Sequence, residues 1–156
     1  MKIRLAKQSD IWTLYNWVNK TDSLKNKLLT KKKISKSEHK VWYELSLKKK
    51  NRYIWIIENQ YIDLGQIRLD IDEEEKLCFI DIYIDKKYRK NNFGQKAINK
   101  AIEFISSVYN LDYIIALVLK TNIKSLNFFY SLGFSKYYDV NTYYDLRLIL
   151  EKNNEK

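Results

Sequence analysis

The stretch "YRKNNFGQK", residues 88–96, joins an apolar run to a long amphipathic segment. The run before it, Phe79–Ile84, is typical of a strand, and the segment after it, Ala97–Val108, repeats apolar residues at helical spacing. One of the chain's three glycines, Gly94, therefore stands at the mouth of a helix. Because the first N–H groups of a helix lack intrahelical partners and lie at its positive end, this junction predicts an anion-binding loop.

Upstream of this loop, the sequence predicts one strand and two helices. Residues 1–6 alternate apolar and charged side chains, as a strand does, and Ser9-Asp10 is expected to cap a first helix. Residues 19–33 are polar without a clear period, which indicates a loop with at most a short helical turn. Ser35 and Glu38 form an S-x-x-E capping box for a second helix. The expected apolar face of that helix consists of Val41, Trp42 and Leu45.

Three strands then lead into the loop, at residues 53–58, 65–71 and 77–84. The turns between them are short, so these strands are predicted to be antiparallel. After the helix that begins near Gly94, residues 111–119 are almost continuously apolar, as in a strand buried on both faces. A further helix, capped by Thr121 or Asn122, and two final strands complete an α/β order.

Composition restricts the class of protein. The length of 156 residues fits one domain, assigned to residues 1–151 with a polar tail at residues 152–156. No stretch approaches the ~18 apolar residues of a membrane span, and the N-terminus carries charges where a signal peptide needs apolar residues. We therefore expect a cytoplasmic protein with no membrane partner. Its one cysteine, Cys78, is expected to be a buried, inert thiol.

The net charge of +10 comes mostly from scattered lysines. A basic surface attracts any polyanion, but no nucleic-acid-binding module is legible in the sequence. This pattern argues against a nucleic-acid partner, which is kept as the weaker alternative.

The loop sequence resembles the phosphate loop Q/R-x-x-G-x-G/A of the GNAT superfamily of acyl-CoA N-acyltransferases. Asn92 replaces the first glycine of that pattern, and asparagine is the non-glycine residue best able to adopt a left-handed backbone. Gly65 in "GQIRLD" and Gly133 in "SLGF" also fall at family positions. The resemblance covers nearly the whole chain. It implies a single-domain GNAT fold, with a mixed, mostly antiparallel sheet of about seven strands and about four helices.

The resemblance implies acetyl-CoA as cofactor and no metal ion. Main-chain groups of Ile82 and Ile84 would pair with the pantetheine arm where the fourth and fifth strands diverge, and an amide near Ile82 would stabilise an oxyanion. Asn122 would hydrogen-bond the pantetheine. The loop residues implied in holding the pyrophosphate are Arg89, Lys90, Asn91, Asn92, Phe93, Gly94 and Gln95.

The catalytic residues depart from the family pattern. Many members carry a tyrosine seven residues after the asparagine to protonate the leaving thiolate, but this chain has Phe129 there and Tyr130 next. Tyr130 is the candidate general acid, and the alternative is a thiolate protonated by water or by the substrate amine. Asp81 is the first candidate for the general base, because a carboxylate amid apolar residues is costly unless it is used or paired. Glu58 is the second candidate.

The acceptor is expected to be a small-molecule amine. The first two helices are similar to a GNAT branch with the pattern "W-R-N … S-x-x-E-H-x-x-W", which includes enzymes acting on nucleotide-linked amino sugars. Trp17, His39 and Trp42 are therefore expected to bind the acceptor, and Lys31–Lys33 to contact a diphosphate. The alternatives are a polyamine or a protein N-terminus and, from another class, a non-catalytic CoA-fold protein. A homodimer is compatible with the resemblance.

Overall fold

A computed structural model of the chain describes residues 1–28 and 31–152. Residues 153–156 of the predicted tail lie outside the described part. Seven strands form one sheet: β1 (Lys2–Leu5), β2 (Arg52–Asn59), β3 (Ile62–Asp72), β4 (Leu77–Ile84), β5 (Tyr113–Leu119), β6 (Ser135–Val140) and β7 (Tyr143–Ile149). Their order across the sheet is β1-β2-β3-β4-β5-β7-β6, and only the β4–β5 pair is parallel. The α/β class and the mixed, mostly antiparallel sheet are confirmed.

Five α-helices accompany the sheet in the described part of the chain: α1 (Ile11–Val18), α2 (Thr21–Lys25), α3 (Lys36–Lys48), α4 (Phe93–Val108) and α5 (Ile123–Ser131). Two short 3-10 turns lie at Gln8–Asp10 and Lys86–Tyr88. The sequence predicted four helices, and the additional one is α2, a five-residue helix in the segment predicted as a loop. A helix this short is stabilised by its tertiary contacts rather than by a periodic pattern.

The sheet opens between β4 and β5. These strands pair only over Leu77–Phe79 and Tyr113–Ile115, and beyond that point they part. Their parallel direction requires a crossover, which α4 supplies. Ile98 and Ile105 of α4 are fully buried, and each such side chain contributes about 1.5–3 kcal/mol of hydrophobic stabilisation. The core therefore fixes α4 against the sheet, with its first turn beside the opening.

Helix α3 buries a different face from the predicted one. Val41 and Leu45 are 60% and 59% exposed, while Tyr43 is fully buried and donates a hydrogen bond to the Lys7 carbonyl oxygen. The prediction was wrong because it followed the apolar residues, whereas the helix turns the amphipathic Tyr43 inward, where both ring and hydroxyl find partners. The capping box is confirmed, since Ser35 Oγ accepts from the Glu38 N–H at 3.2 Å and Glu38 Oε2 accepts from the Ser35 N–H at 3.1 Å.

The predicted cap of the first helix is replaced by an ion-paired turn. Asp10 makes no side-chain cap to α1 and instead accepts from the Lys7 N–H at 2.7 Å and from Arg4 at 2.9 and 3.0 Å. Arg4 also donates to Glu58 at 3.1 Å. Burial opposes ionisation of Asp10, but the hydrogen bonds from Arg4 and the Lys7 N–H hold its pKa below the usual range. The pKa of Glu58 is lowered by Lys2 and, to a lesser extent, by Arg4. This network ties β1 to the start of α1.

Two glycines are required by the backbone. A Cβ on Gly65 would stand 2.0 Å from the Tyr83 carbonyl oxygen, so only glycine permits this approach of β3 to β4. Gly133 has φ +93°, and it follows α5 as a left-handed stop. Strand β4 pairs with β3 in unbroken register from Gly65–Ile84 to Asp72–Leu77, and the irregularity of this region lies in the pairing of β2 with β3, where the register shifts between Ile57 and Glu58.

The remaining expectations from composition concern the thiol and the membrane. Cys78 is fully buried, as predicted, and its burial raises the thiol pKa to about 12, which disfavours the reactive thiolate. None of the helices in the described ranges has the length and apolar character needed to cross a bilayer. Location in the cytoplasm and the homodimer stay predictions.

Candidate active site

A cavity of about 930 Å³ passes through the opening between β4 and β5. On one side of the sheet it is bounded by the loop before α4 and by α5, and on the other by α1, the α2 segment and α3. Its wall is therefore shared by elements from both faces of the sheet. A ligand in this cavity reaches both faces past the free edge of β4.

The loop at one end presents unpaired main-chain donors. Lys90 and Asn92 both have left-handed backbones, with φ of 68° and 59°, so asparagine takes the conformation expected at the replaced glycine. Helix α4 begins at Phe93, and the Lys96 N–H donates to the Asn92 carbonyl at 3.0 Å. The amides of Phe93, Gly94 and Gln95 precede that bond and have no partner within the helix. This cradle fits a pyrophosphate.

Gly94 allows close packing behind this cradle. A Cβ at Gly94 would lie 3.3 Å from the ring of Phe128 in α5 and 3.8 Å from Ile82 Cδ1. Its role is thus close packing of the first turn of α4 against α5. The left-handed geometry belongs to Lys90 and Asn92.

The basic residues of the loop differ in their availability. Arg89 lines the cavity, but its Nε donates to the Ile84 carbonyl at 2.8 Å and its guanidinium is ion-paired with Asp22 of α2. Lys90, Asn92, Phe93, Gly94 and Gln95 also line the cavity. Asn91, the remaining predicted loop residue, turns its amide back toward the carbonyls of Tyr88 and Arg89.

The free edge of β4 presents the predicted main-chain groups. The Asp85 N–H donates to the Leu64 carbonyl at 2.8 Å, toward β3. Because antiparallel ladders alternate along the strand, the main-chain groups of Ile82 and Ile84 point away from β3, into the opening. The Ile84 carbonyl already accepts from Arg89, so the amides and the Ile82 carbonyl are left for a ligand.

Asn122 lines the cavity from the start of α5. Its Oδ1 accepts from the Ser125 N–H at 3.3 Å and its Nδ2 donates to Ser125 Oγ at 3.0 Å. The residue is therefore a helix cap whose second Nδ2 hydrogen remains for a ligand.

The structure places Tyr130, the candidate general acid, and Phe129, which stands at the position of the family tyrosine, differently. Phe129 is buried and lines the cavity, between the rings of Phe128 and Phe134. Tyr130 is 36% exposed and is not among the described residues that line the cavity. One residue along a helix is a rotation of about 100°, which turns Tyr130 away from the opening. The prediction of Tyr130 as general acid does not fit this position.

The two candidate bases are also separated. Asp81 lines the cavity, and its Oδ2 accepts from Gln66 Nε2 at 3.2 Å. Glu58 lies in a separate hollow beside Met1 and Tyr61 and is bound by Arg4 at 3.1 Å and Lys2 at 3.0 Å. These cations lower the pKa of Glu58 and keep it ionised in place. Its position does not fit a role as base, and Asp81 remains the candidate.

The three predicted acceptor-binding residues all line the cavity on the Asp81 side of the sheet. Trp17 is buried, with its ring 6.2 Å from that of Tyr83, and Trp42 is partly exposed. His39 is buried, and its Nε2 lies 2.8 Å from the Ile11 carbonyl oxygen, so the ring donates there when neutral. Burial lowers the pKa of His39. It is therefore an uncharged part of the wall.

Two cationic residues of this wall were missed in the sequence. Arg68 of β3 lies opposite Asp81 of β4 in the strand register, and Lys27 follows α2. Gln66, Arg68 and Asp70 form the polar half of an alternating strand, a pattern that normally indicates a solvated face. Here that face is the floor of the cavity. Only the position of the helices above it distinguishes the two cases.

The predicted diphosphate contact is not found at Lys31–Lys33. These three residues are exposed, and they are absent from the cavity lining within residues 1–28 and 31–152. In the same ranges, His, Cys, Asp and Glu side chains do not gather in groups of three able to hold a metal ion.

Known proteins share this architecture. Residues 1–135 match the family model described as "Acetyltransferase (GNAT) domain". Among solved structures, a domain from Methanocaldococcus jannaschii DSM 2661 is 20% identical with a TM-score of 0.84, over 96% of this chain and 97% of that one. Spermidine N-acetyltransferase from Vibrio cholerae, solved with CoA and spermine, is 17% identical with a TM-score of 0.82, over 97% and 96%.

A GNAT-family acetyltransferase from Streptococcus pneumoniae is 17% identical with a TM-score of 0.74, over 96% of this chain and 99% of that one. At these identities the solved structures establish the fold, while the family model covers most of the sequence. No curated protein sequence matches the chain significantly. The cradle before α4, the open edge of β4 and the family match agree: the chain belongs to the GNAT acetyltransferase family and is an acetyl-CoA-dependent N-acetyltransferase.

Proposed function

We propose that this chain acetylates the primary amine of a small molecule by direct attack, with both substrates bound in the cavity. One observation carries the proposal. The opening between β4 and β5 connects the anion-binding cradle on one side with the Asp81 carboxylate on the other. The free edge of β4 lies between the two ends, which places it where an acyl group and an amine from opposite ends come together.

Different groups of the chain bind different parts of acetyl-CoA in this proposal. The amides of Phe93–Gln95 receive the pyrophosphate, and the main chain of Ile82 and Ile84, with Asn122, receives the pantetheine. Acetyl-CoA supplies the acetyl group as a thioester. The Ile82 amide points into the opening, where a fixed donor stabilises the negative charge that develops on a carbonyl oxygen during acyl transfer.

Asp81 is assigned to the proton of the amine. Its carboxylate lies in the cavity wall, oriented by Gln66, and it takes the proton directly or through a water molecule. With Phe129 at the position of the family tyrosine, we assign no side chain to the leaving thiolate. A thiol has an ordinary pKa of about 8.5, so the thiolate takes its proton from water or from the amine.

The class of amine is narrowed by two findings. The amino-sugar hypothesis relied on Lys31–Lys33 to bind a diphosphate, and those side chains lie outside the cavity lining of the described residues. The structural similarity to a spermidine N-acetyltransferase supports the polyamine alternative better than the amino sugar. A protein N-terminus is the remaining alternative.

The test is release of free thiol from acetyl-CoA with a panel of amines. The panel comprises spermidine, a UDP-linked 4-amino-4,6-dideoxy sugar, a peptide amine and small primary amines. Asp81→Asn should lower kcat by about 10²-fold or more, as expected for losing a general base. Glu73→Gln, in the exposed turn after β3, is the matched control and should leave kcat unchanged. Equal turnover by Asp81→Asn and the native chain would refute the assignment.

A further inference from the structure

Arg68 brings an incompletely neutralised charge to the acceptor end of the cavity. Its guanidinium lies 5.8 Å from the ring centre of Trp42. Its buried Nε is 3.3 Å from Asp70 Oδ2, in a geometry that makes no hydrogen bond, and it has no other partner among the described residues. Asp70 already accepts a hydrogen bond from Arg52 Nε. The terminal nitrogens Nη1 and Nη2 of Arg68 make no hydrogen bond in the described part of the chain, so they keep donor capacity for an anion.

Lys27 adds a second cation to the same space. It lines the cavity from the segment after α2 and forms no ion pair within residues 1–28 and 31–152. Burial lowers the pKa of its ammonium, the charge of Asp81 opposes this effect, and the charge of Arg68 adds to it. A bound anion would stabilise the charged form.

Asp81 places the opposite charge a short distance away. It is the register partner of Arg68, so both side chains leave the same face of the sheet, with Cβ atoms roughly 5 Å apart. In the described part of the chain, Asp81 accepts from Gln66 but makes no ion pair with Arg68 or Lys27. Separated charges of both signs in one cavity match a ligand that carries both signs itself.

We propose that the acceptor is a compact amine that also bears an anionic group, a carboxylate or a phosphate, a few bonds from its nitrogen. This inference rests on the N-acetyl transfer proposed above. Arg68 and Lys27 hold the anion, and Asp81 receives the ammonium. In the transfer the C–N bond forms as the C–S bond breaks, the amine proton passes to Asp81 or water, and the thiolate gains a proton from solvent.

The same charges disfavour a polyamine. A molecule with a second ammonium would bring it against Arg68 and Lys27, and like charges at a binding site cost affinity. The polyamine alternative and the present inference therefore predict opposite preferences.

The experiment compares amines of similar length that differ in charge. They are β-alanine, O-phosphoethanolamine, propylamine and 1,3-diaminopropane, compared by kcat/KM at equal concentrations of free amine. The anionic amines should exceed propylamine by about 10-fold or more, as expected for a hydrogen bond to a charged group, and the diamine should be poorest. The ratio of β-alanine to O-phosphoethanolamine identifies which anion the site prefers.

Variants locate the preference at Arg68. Arg68→Gln should reduce the ratio of kcat/KM for the anionic amines to kcat/KM for propylamine, measured on the same variant, to about one. Arg68→Glu should make the diamine the better substrate, and its activity shows that the variant is folded. Lys27→Gln should weaken the preference in the same direction. Lys31→Gln removes an exposed lysine outside the cavity lining and should leave all four values unchanged.

The two proposals fail in different ways. If propylamine or the diamine matches β-alanine, or if Arg68→Gln keeps the preference, the inference is overturned while N-acetyl transfer stands. If no amine releases thiol although calorimetry shows that acetyl-CoA binds, the proposed function is overturned and this inference with it.

Discussion

The two ends of the cavity are built from different parts of the chain's chemistry. The end proposed to bind the cofactor, called the cofactor end below, consists largely of main-chain groups: the amides of Phe93–Gln95 and the free edge of β4. The acceptor end consists of side chains from four separate segments, represented by Trp17, Lys27, Arg68 and Asp81. A site built from main-chain groups depends on local backbone conformation, which neighbouring residues encode. A side-chain site depends on which distant segments the fold brings together.

The two ends of the cavity also differ in the signs of the charges that they carry. At the cofactor end, Arg89 and Lys90 flank a helix N-terminus, so the charge there has one sign, apart from Asp22 on Arg89. At the acceptor end, Arg68 and Lys27 face Asp81. A site of one sign attracts any suitable polyanion, whereas a site of mixed sign selects among small molecules.

The largest expected effect tests the main-chain end. Gly94→Val should weaken acetyl-CoA binding by more than about 10-fold, because the added atoms meet Phe128 at 3.3 Å and displace the first turn of α4. Calorimetry measures the affinity. Lys100→Val, on the exposed face of the same helix, has the same β-branched side chain and should bind normally.

A double variant separates two causes of that loss. Gly94→Val with Phe128→Ala removes the packing conflict within the protein. If binding returns, displacement of the turn was the cause. If it stays weak, the valine itself obstructs the phosphate. Normal binding by the single Gly94→Val variant would break the comparison, because the cradle would then not hold the cofactor.

A smaller effect is expected from His39, in the side-chain end. Its folded-state pKa is lowered, mainly by burial, so the unfolded chain binds more protons below the ordinary pKa of about 6.5. The histidine's contribution to stability is therefore complete above that pH and is lost as the pH falls toward the folded pKa. His39→Gln should flatten the fall in unfolding free energy that the native chain shows as the pH falls below about 6.5, measured in urea titrations.

Other charged groups near His39 also contribute to the pH dependence of the unfolding free energy. Burial is the main cause of the lowered pKa of His39, and the charge of Lys27, which adds to it, is present in both the native chain and the variant. The comparison is therefore the difference between native chain and variant. Parallel curves for the two would contradict a neutral, buried His39.

The smallest effect is expected from Tyr130. Tyr130→Phe should change kcat by less than about 2-fold, because the hydroxyl lies outside the described cavity lining. Steady-state turnover with acetyl-CoA measures it. A loss of 10²-fold, the lower range for a general acid, would show instead that Tyr130 reaches the sulfur and that α5 moves in the complex.

Local patterns predicted most of the cofactor end. The start of α4 and the cap at Asn122 were predicted from a few adjacent residues, and the resemblance to the GNAT phosphate loop implied the left-handed backbone of Asn92. The strands around Gly65 followed from alternation and short turns. The phase of α3 was not legible, since Val41 and Leu45 offered an apolar face that the fold leaves exposed.

Sequence reasoning placed residues least well where their neighbours in space lie far along the chain. Glu58 looked like a candidate base until β1 placed Arg4 and Lys2 on its carboxylate. Tyr130 lies one residue along α5 from the position that lines the opening. Sequence patterns do not fix the start of a helix to within one residue. Arg68 carried no signal at all, because an arginine on an alternating strand usually faces water.

The sequence by itself determined the element order, the antiparallel strands before the loop and the anion-binding start of α4, because hydrophobic period, turn length and backbone preference act over a few residues. Tertiary structure alone decided where β4 and β5 part, that α2 lies beside the cavity, and that Arg68 and Lys27 face Asp81. Those features arise from packing and charge between segments tens of residues apart. The periodicity of a segment does not indicate which distant segment it will contact in the folded protein.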